Sequence, residues 1–397
     1  MHVTPISTRR IAPARRAAFA VLEAVANGQY ASDVLRAESR SLAARDASLA
    51  SQIVFGCLRW TSQLDFLVTH YSGRRPDKLD QVVLLALRSA IFQLRYLERV
   101  PAHAAVHESV EFVKAHKRSA SGLVNAVLRK VNRQPVSWPD LATELSCPQW
   151  LLERWSLHFD AQTARGIASA ALLEPETFLR IPAGTPLPAG LDLEPTEVPG
   201  AYKLLSDLPA QQRTHDVSSQ SVVSLLALGP EHTFLDLCAA PGNKTLQALE
   251  ASPARAIACD VSLKRLREVP AVCPRVALDA SQALPFAARF DRIFIDAPCS
   301  GTGTLGRNPE IKWRLQAADL PRFQERQSAI LRQAASVLAA RGRILYATCS
   351  LEREENEDVI RQFLELHSDF QLIEEKWRIP GRDRGDGFYA AVLARSS

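Results

Sequence analysis

Two cysteines occupy positions from which a thiol can attack a substrate. Cys299 lies in Asp296-Ala297-Pro298-Cys299-Ser300-Gly301 and Cys349 in Ala347-Thr348-Cys349-Ser350. Each follows a short apolar run, Arg292-Ile293-Phe294-Ile295 or Arg343-Ile344-Leu345-Tyr346. Both runs are rich in β-branched and aromatic residues and read as buried strands. Ligands of open parallel sheets bind beyond the carboxyl ends of the strands, so this placement sets two thiols at the mouth of one sheet. A single free cysteine is usually an inert small hydrophobe, because only the thiolate is nucleophilic. Two at strand ends, flanked by Ser, Thr and Gly, point to covalent chemistry on a substrate.

The elements that must position these thiols follow from the second half of the chain. Apolar runs end at Asp236, Asp260, Asp279 and Asp296, spaced by 24, 19 and 17 residues, about one strand plus one helix. From residue 216 onward this predicts a doubly wound α/β sheet. A helix over 354–366, a strand near 370–373 and a last strand near 388–393 complete it, the last two pairing as an antiparallel edge. Phe234 to Thr245 reads as a strand, a tight turn of small residues and a helix start, which faces backbone N–H groups toward an anionic group. It is not a phosphate loop, since Cys238 and Asn243 stand where glycines are required. Asp260 is placed to accept from the hydroxyls of a ribose and Asp279 to accept from an amine, which together suggest an adenosine-type ligand. Gly301-Thr302-Gly303-Thr304-Leu305-Gly306 matches a dinucleotide fingerprint literally. Arg307, Asn308 and Pro309 follow instead of a helix, so we read it as a flexible substrate loop, with Arg307 and Lys312 facing phosphates.

The front of the chain differs. From Arg9 to about Val131 apolar residues recur at helical steps, as in 17–22 and 82–97, and predict an all-α domain. Residues 1–135 carry 20 Lys plus Arg against 10 Asp plus Glu, whereas the remainder is net acidic within a total of +5. Arg9, Arg10, Arg15 and Arg16, with Lys114, Lys117, Arg118, Arg129, Lys130 and Arg133, form two basic clusters suited to phosphates. The chain of 397 residues, 47% hydrophobic, is long enough for two or three cores. We divide it at 1–135 (helical, basic, suited to docking a polyanion), 136–215 (linker and small connecting subdomain) and 216–397 (catalytic). Seven dispersed cysteines without metal-ligand spacing favour a reducing compartment and no metal site. No apolar run reaches about 18 residues, and the expectation is a cytoplasmic protein that makes no membrane contact.

Asp-Leu-Cys-Ala-Ala-Pro-Gly-Asn-Lys-Thr (236–245), Asp-Ala-Pro-Cys-Ser-Gly-Thr-Gly (296–303) and Ala-Thr-Cys-Ser (347–350), followed by Glu354-Glu355-Asn356-Glu357, closely resemble the Nop2/Sun RNA cytosine-C5 methyltransferases. The front domain is similar to the NusB-like domain of bacterial RsmB/Sun-type members. The resemblance implies an all-α NusB-like domain followed by a Rossmann-like class I S-adenosylmethionine-dependent methyltransferase domain, acting as a monomer on 16S rRNA. It implies cofactor contacts from Asp236, Cys238, Ala239, Ala240, Pro241, Gly242, Asn243, Lys244, Asp260, Arg265, Asp279 and Asp296. Spacing alone leaves either cysteine as nucleophile; the resemblance assigns Cys349, with Cys299 assisting product release and Asp296 acting at N3 of the base. Lys244 is the nearest cation to favour the thiolate, and Phe388 and Tyr389 are candidates to line the base's entrance. Asn243 stands where the family usually has a second Gly, His215 where Gln is commoner, and Arg180-Ile181-Pro182 where Arg-Val-Asn is usual. Three other readings remain open at this point: a tRNA cytosine-C5 methyltransferase, an inactive RNA-binding or ribosome-assembly protein, and a nicotinamide-dependent oxidoreductase.

Overall fold

Apolar residues at three- and four-residue steps form the helices α1 (Pro13–Ala26), α2 (Ala31–Glu38), α3 (Ala44–Arg59), α4 (Thr61–Ser72), α5 (Gln81–Tyr96), α6 (Ala102–His116) and α7 (Ser121–Leu128). A computed structural model describes residues 11–208 and 212–396, so Arg9 and Arg10 lie outside the described residues. The chain divides into two units, one running to Arg154 and including Gly306–Trp313, the other comprising Trp155–Leu305 and the remainder from Arg314. In the first unit the helices share one core in which Phe19 stacks on Phe112 with ring centroids 3.9 Å apart. Gly56 on α3 lets Phe92 of α5 approach, since a Cβ there would meet the ring at 1.9 Å. Further on, α8 (Leu141–Glu144) is capped by the Asp140 carboxylate, and α9 (Gln149–His158) follows.

Two expected phosphate contacts in this unit are overturned. Arg15 is buried; it donates to Gln93 Oε1 and pairs with Glu108 at 2.8 Å, because a guanidinium on the inner face of α1 must be neutralised there. Lys312 is 1% exposed and donates to the Arg59 carbonyl at 2.9 Å, and burial pulls its ammonium down to about 8. The whole segment 306–313 folds onto α2 and α3: Arg59 donates to the Gly306 carbonyl, Ala31 N–H to Glu310, and the Trp313 indole to the Leu58 carbonyl. By contrast Arg16, Arg118, Arg129 and Lys130 are exposed.

The second unit contains α10 (Ala161–Ala170) and a three-stranded antiparallel sheet in the order β1-β3-β2, formed by β1 (Phe178–Arg180), β2 (Leu193–Pro195) and β3 (Ala201–Leu204). After α11 (Val217–Val223) come β4 (Thr233–Asp236), α12 (Asn243–Leu249), β5 (Arg255–Asp260), α13 (Leu263–Leu266), β6 (Arg275–Ala277) and β7 (Phe290–Asp296). After the short α14 (Ile311–Arg314), which belongs to the first unit up to Trp313, the second unit resumes with α15 (Leu320–Ser336), β8 (Leu338–Thr348), α16 (Glu357–Leu366), β9 (Phe370–Arg378) and β10 (Phe388–Arg395). These form a seven-stranded sheet ordered β6-β5-β4-β7-β8-β10-β9. The first five strands are parallel, and β10 and β9 add an antiparallel edge. Alternation along the central strands buries both faces: Leu235, Ile293, Ile295 and Tyr346 pack with α15 and α16, while Phe234, Phe294 and Leu345 pack with α11 and α12. The expected helical domain followed by a Rossmann-like sheet is therefore observed. Among the described residues no helix is long and apolar enough to cross a membrane, and no cluster of three metal-ligating side chains occurs.

Candidate active site

Strand order reverses between β4 and β7, and a doubly wound sheet opens its ligand crevice at that switch point. Asp296 at the end of β7 pairs in register with Ala347 on β8, so the loops leaving these strands run side by side. They bring Cys299 Sγ to 3.3 Å from Cys349 Sγ, both thiols partly exposed. The hydrogen bond between the sulfurs and then burial push the Cys299 thiol well above its ordinary value, so it stays protonated beside its neighbour.

The glycine run after Cys299 departs from expectation. It is buried and cross-tied instead of flexible: Gly303 N–H donates to the Cys349 carbonyl at 2.8 Å, and Gly387 N–H donates to the Gly303 carbonyl at 2.7 Å. A Cβ on Gly303 would stand 2.4 Å from the Gly387 carbonyl oxygen, which accounts for glycine there without any pyrophosphate.

Lys244, in the first turn of α12, reaches across to Asp296 at 2.7 Å. Burial works against its charge, but the Asp296 carboxylate outweighs it and holds the ammonium above its ordinary value. The Phe388 ring lies 4.9 Å from that ammonium. Both rings expected at the entrance are buried: Phe388 packs into the core on one face of β10, and Tyr389, on the other face, donates to Glu375.

The residues expected to bind the cofactor gather at the carboxyl ends of β4, β5, β6 and β7. The Asp236 carboxylate is turned inward, accepting from Thr245 Oγ1 at 2.7 Å and Cys238 N–H at 3.3 Å, and burial raises it to about 7. It holds the loop in shape. Ala239 and Ala240 are buried, Pro241 is exposed, and the left-handed position falls on Gly242, at φ 102°. Asn243 opens α12 and donates to the Thr214 carbonyl, so a second glycine is not required there. Asp260 accepts from Ala240 N–H and Ser262 N–H, while the Arg265 guanidinium donates to the Ala240 carbonyl at 3.0 Å. Asp279 lies two residues past the end of β6, exposed, and its hydrogen bonds from Ser281 hold it below its usual value.

Glu355, Gln327, Asn356 and Thr348, to which no role is assigned from sequence, are buried directly behind the two cysteines. Thr348, Glu355 and Asn356 fall within motifs that carry the family resemblance, Glu355 and Asn356 six and seven residues after the second cysteine, whereas Gln327 has no such signal.

His215 is buried behind Lys244. Its Nε2 faces Ser219 Oγ at 2.9 Å, and burial, then Lys244 and Arg180, depress it to about 3. The unfolded chain takes up a proton near pH 6.5 that the folded one refuses. Stability from this group is therefore complete above pH 6.5 and lost as pH falls, by about 2 kcal/mol at pH 5. His215→Gln should flatten the decline in unfolding free energy between pH 7 and pH 5 by about that amount in urea titrations. An unchanged slope would place the acid sensitivity elsewhere.

Residues 12–133 match the NusB family and residues 223–394 the family described as 16S rRNA methyltransferase RsmB/F. The chain is 35% identical over 420 residues to ribosomal RNA small subunit methyltransferase B of Erwinia tasmaniensis, covering 96% of this chain and 97% of that protein. It is 33% identical to the protein of that name from Yersinia enterocolitica, with the same coverage. Among solved structures, that of PH0851 superposes with a TM-score of 0.80 at 22% identity over 97% of this chain and 99% of that one. NSun6 from Pyrococcus horikoshii, solved with SFG, gives 0.55 at 16% over 63% and 98%. The structural likenesses speak for the fold; the sequence relationship over nearly the whole chain shows that it belongs to the RsmB/F family of ribosomal RNA methyltransferases.

Proposed function

We propose that the chain methylates carbon 5 of a cytosine in 16S rRNA through a covalent adduct at Cys349. The observation that carries this reading is the pair of thiols 3.3 Å apart, beside the Lys244–Asp296 ion pair. Carbon 5 of cytosine is a poor nucleophile until a thiolate adds to carbon 6. Cys349 forms that S–C6 bond, moving an electron pair toward carbon 5, while Asp296 steadies the N3 side of the ring. S-adenosylmethionine supplies the methyl group when bound. The residues at the strand ends fit its nucleoside by the chemistry of their donor set: Asp260 for ribose hydroxyls, Asp279 for the adenine amine, and the 238–243 turn with Arg265 around them. Cys299 gives up its own proton to solvent once the Cys349 charge is consumed; the resulting thiolate takes the carbon 5 proton, and the electrons left behind expel the Cys349 thiolate.

The thiol pair suits this division of labour. A protonated Cys299 stabilises the Cys349 thiolate before attack. Once Cys349 is bonded to carbon 6 that negative charge is gone, and Cys299 is freer to ionise and act as base.

The test is bisulfite sequencing of ribosomal and transfer RNA from cells with and without this chain. Loss of one 16S rRNA site, restored by the wild-type chain, is the expected outcome. A lost tRNA site would move the substrate to tRNA, and an unchanged map would favour a binding protein without activity.

A further inference from the structure

Glu355 is completely buried in the turn between β8 and α16, and four donors converge on its carboxylate. Oε1 accepts from Ser300 N–H at 2.8 Å and Gln327 Nε2 at 2.9 Å; Oε2 accepts from the hydroxyls of Ser300 and Ser350. Ser300 directly follows Cys299, and Ser350 directly follows Cys349. One side chain therefore joins the residues adjoining both thiols. Gln327 extends the tie by donating to the carbonyl of Pro298, on the other side of Cys299, at 3.0 Å. Asn356 closes it around Cys349, accepting from Thr348 Oγ1 at 2.6 Å and donating to the Ser350 carbonyl at 3.0 Å. Glu355 is itself anchored, its carbonyl accepting from the Tyr346 hydroxyl at 2.6 Å.

Burying a carboxyl group is costly, and here it is retained at a point away from solvent where it touches neither thiol. Only an acceptor with two oxygens and no hydrogen can receive all four donors in this arrangement.

We propose that Glu355 is a positioning residue that fixes the spacing of the two reactive thiols by locking the Cys299 and Cys349 loops together. The inference rests on the reading of Cys349 and Cys299 as nucleophile and base. It specifies a defect in turnover, not in substrate binding. A carboxamide at 355 places an N–H group against groups that already donate, so two of the four bonds must rearrange.

The test compares full-length wild type with Glu355→Gln. The expected result is a fall in kcat of about 30-fold or more, with KM for RNA and for S-adenosylmethionine within about threefold. A second reading is independent of methylation. Phenylarsine oxide binds tightly only where two thiols are close enough to share one arsenic; mass spectrometry should locate it on Cys299 and Cys349 in wild type, with at least tenfold weaker binding in Glu355→Gln. Should that variant fail to fold, Ser300→Ala/Ser350→Ala, which removes the two hydroxyl donors, is read in the same two ways. Wild-type kcat, or unchanged arsenical binding with a lowered kcat, overturns the proposal. Weaker arsenical binding in a protein whose wild type makes no 5-methylcytosine would uphold the positioning role and reject the assigned reaction.

Discussion

Cys349→Ala is expected to lower methyl transfer by ~10⁵-fold or more, while Cys299→Ala should trap RNA on the protein as an adduct that survives denaturing electrophoresis. The asymmetry follows from what each thiol does. Without Cys349 no bond to carbon 6 forms, carbon 5 stays unreactive, and neither methylation nor adduct results. Without Cys299 attack and methylation proceed, but the carbon 5 proton has no nearby base, so the S–C6 bond is not expelled. With the sulfurs 3.3 Å apart, geometry alone lets either one approach the base, which makes the pair of variants decisive. An adduct in Cys349→Ala, with none in Cys299→Ala, would exchange the two roles. Adducts in neither would remove the covalent mechanism.

The sheet was legible because its strands are short apolar runs with acids at or just past their ends, a pattern that burial on both faces of a parallel sheet imposes. Asp236, Asp260 and Asp296 end β4, β5 and β7 as expected. The same logic located the thiols. It did not reveal the sheet of β1, β2 and β3, whose strands of three or four residues lie in a Pro- and Gly-rich stretch and carry too little alternation to be read. The basic residues were misread for another reason. Arg15 and Lys312 look like surface cations in one dimension, and only packing brings Glu108 to the first and the Arg59 carbonyl to the second. Glu355 was hidden in the same way: a glutamate in an acidic turn reads as solvated until Ser300 and Ser350, from the loops after β7 and β8, and Gln327 of α15 are seen to converge on it. The residues proposed to meet a substrate are marked by type and strand position, whereas those proposed to hold them in place are defined by contacts far apart in sequence.

Lys244→Met should reduce kcat by ~100-fold or more, because one ammonium serves two partners. It neutralises Asp296 at 2.7 Å, and it would attract a thiolate formed on Cys349. Methionine keeps most of the length and apolar contact against Phe388 but removes the charge, leaving the Asp296 carboxylate unpaired in a partly buried pocket. That carboxylate then opposes a second negative charge nearby, so the thiolate is disfavoured twice, by loss of a cation and by exposure to an anion. Iodoacetamide labelling of the Cys349 peptide at pH 7.5 should slow about tenfold in Lys244→Met. It should partly recover in Lys244→Met/Asp296→Asn, where no uncompensated carboxylate remains. Methyl transfer in the double variant should stay low, because Asp296 no longer serves the base. Lys244 lies in the expected cofactor loop, so labelling without S-adenosylmethionine separates its effect on the thiol from any effect on cofactor affinity. Wild-type labelling rates in Lys244→Met would mean that the ammonium acts on the cofactor or on Asp296 alone, and that another group supports the nucleophile.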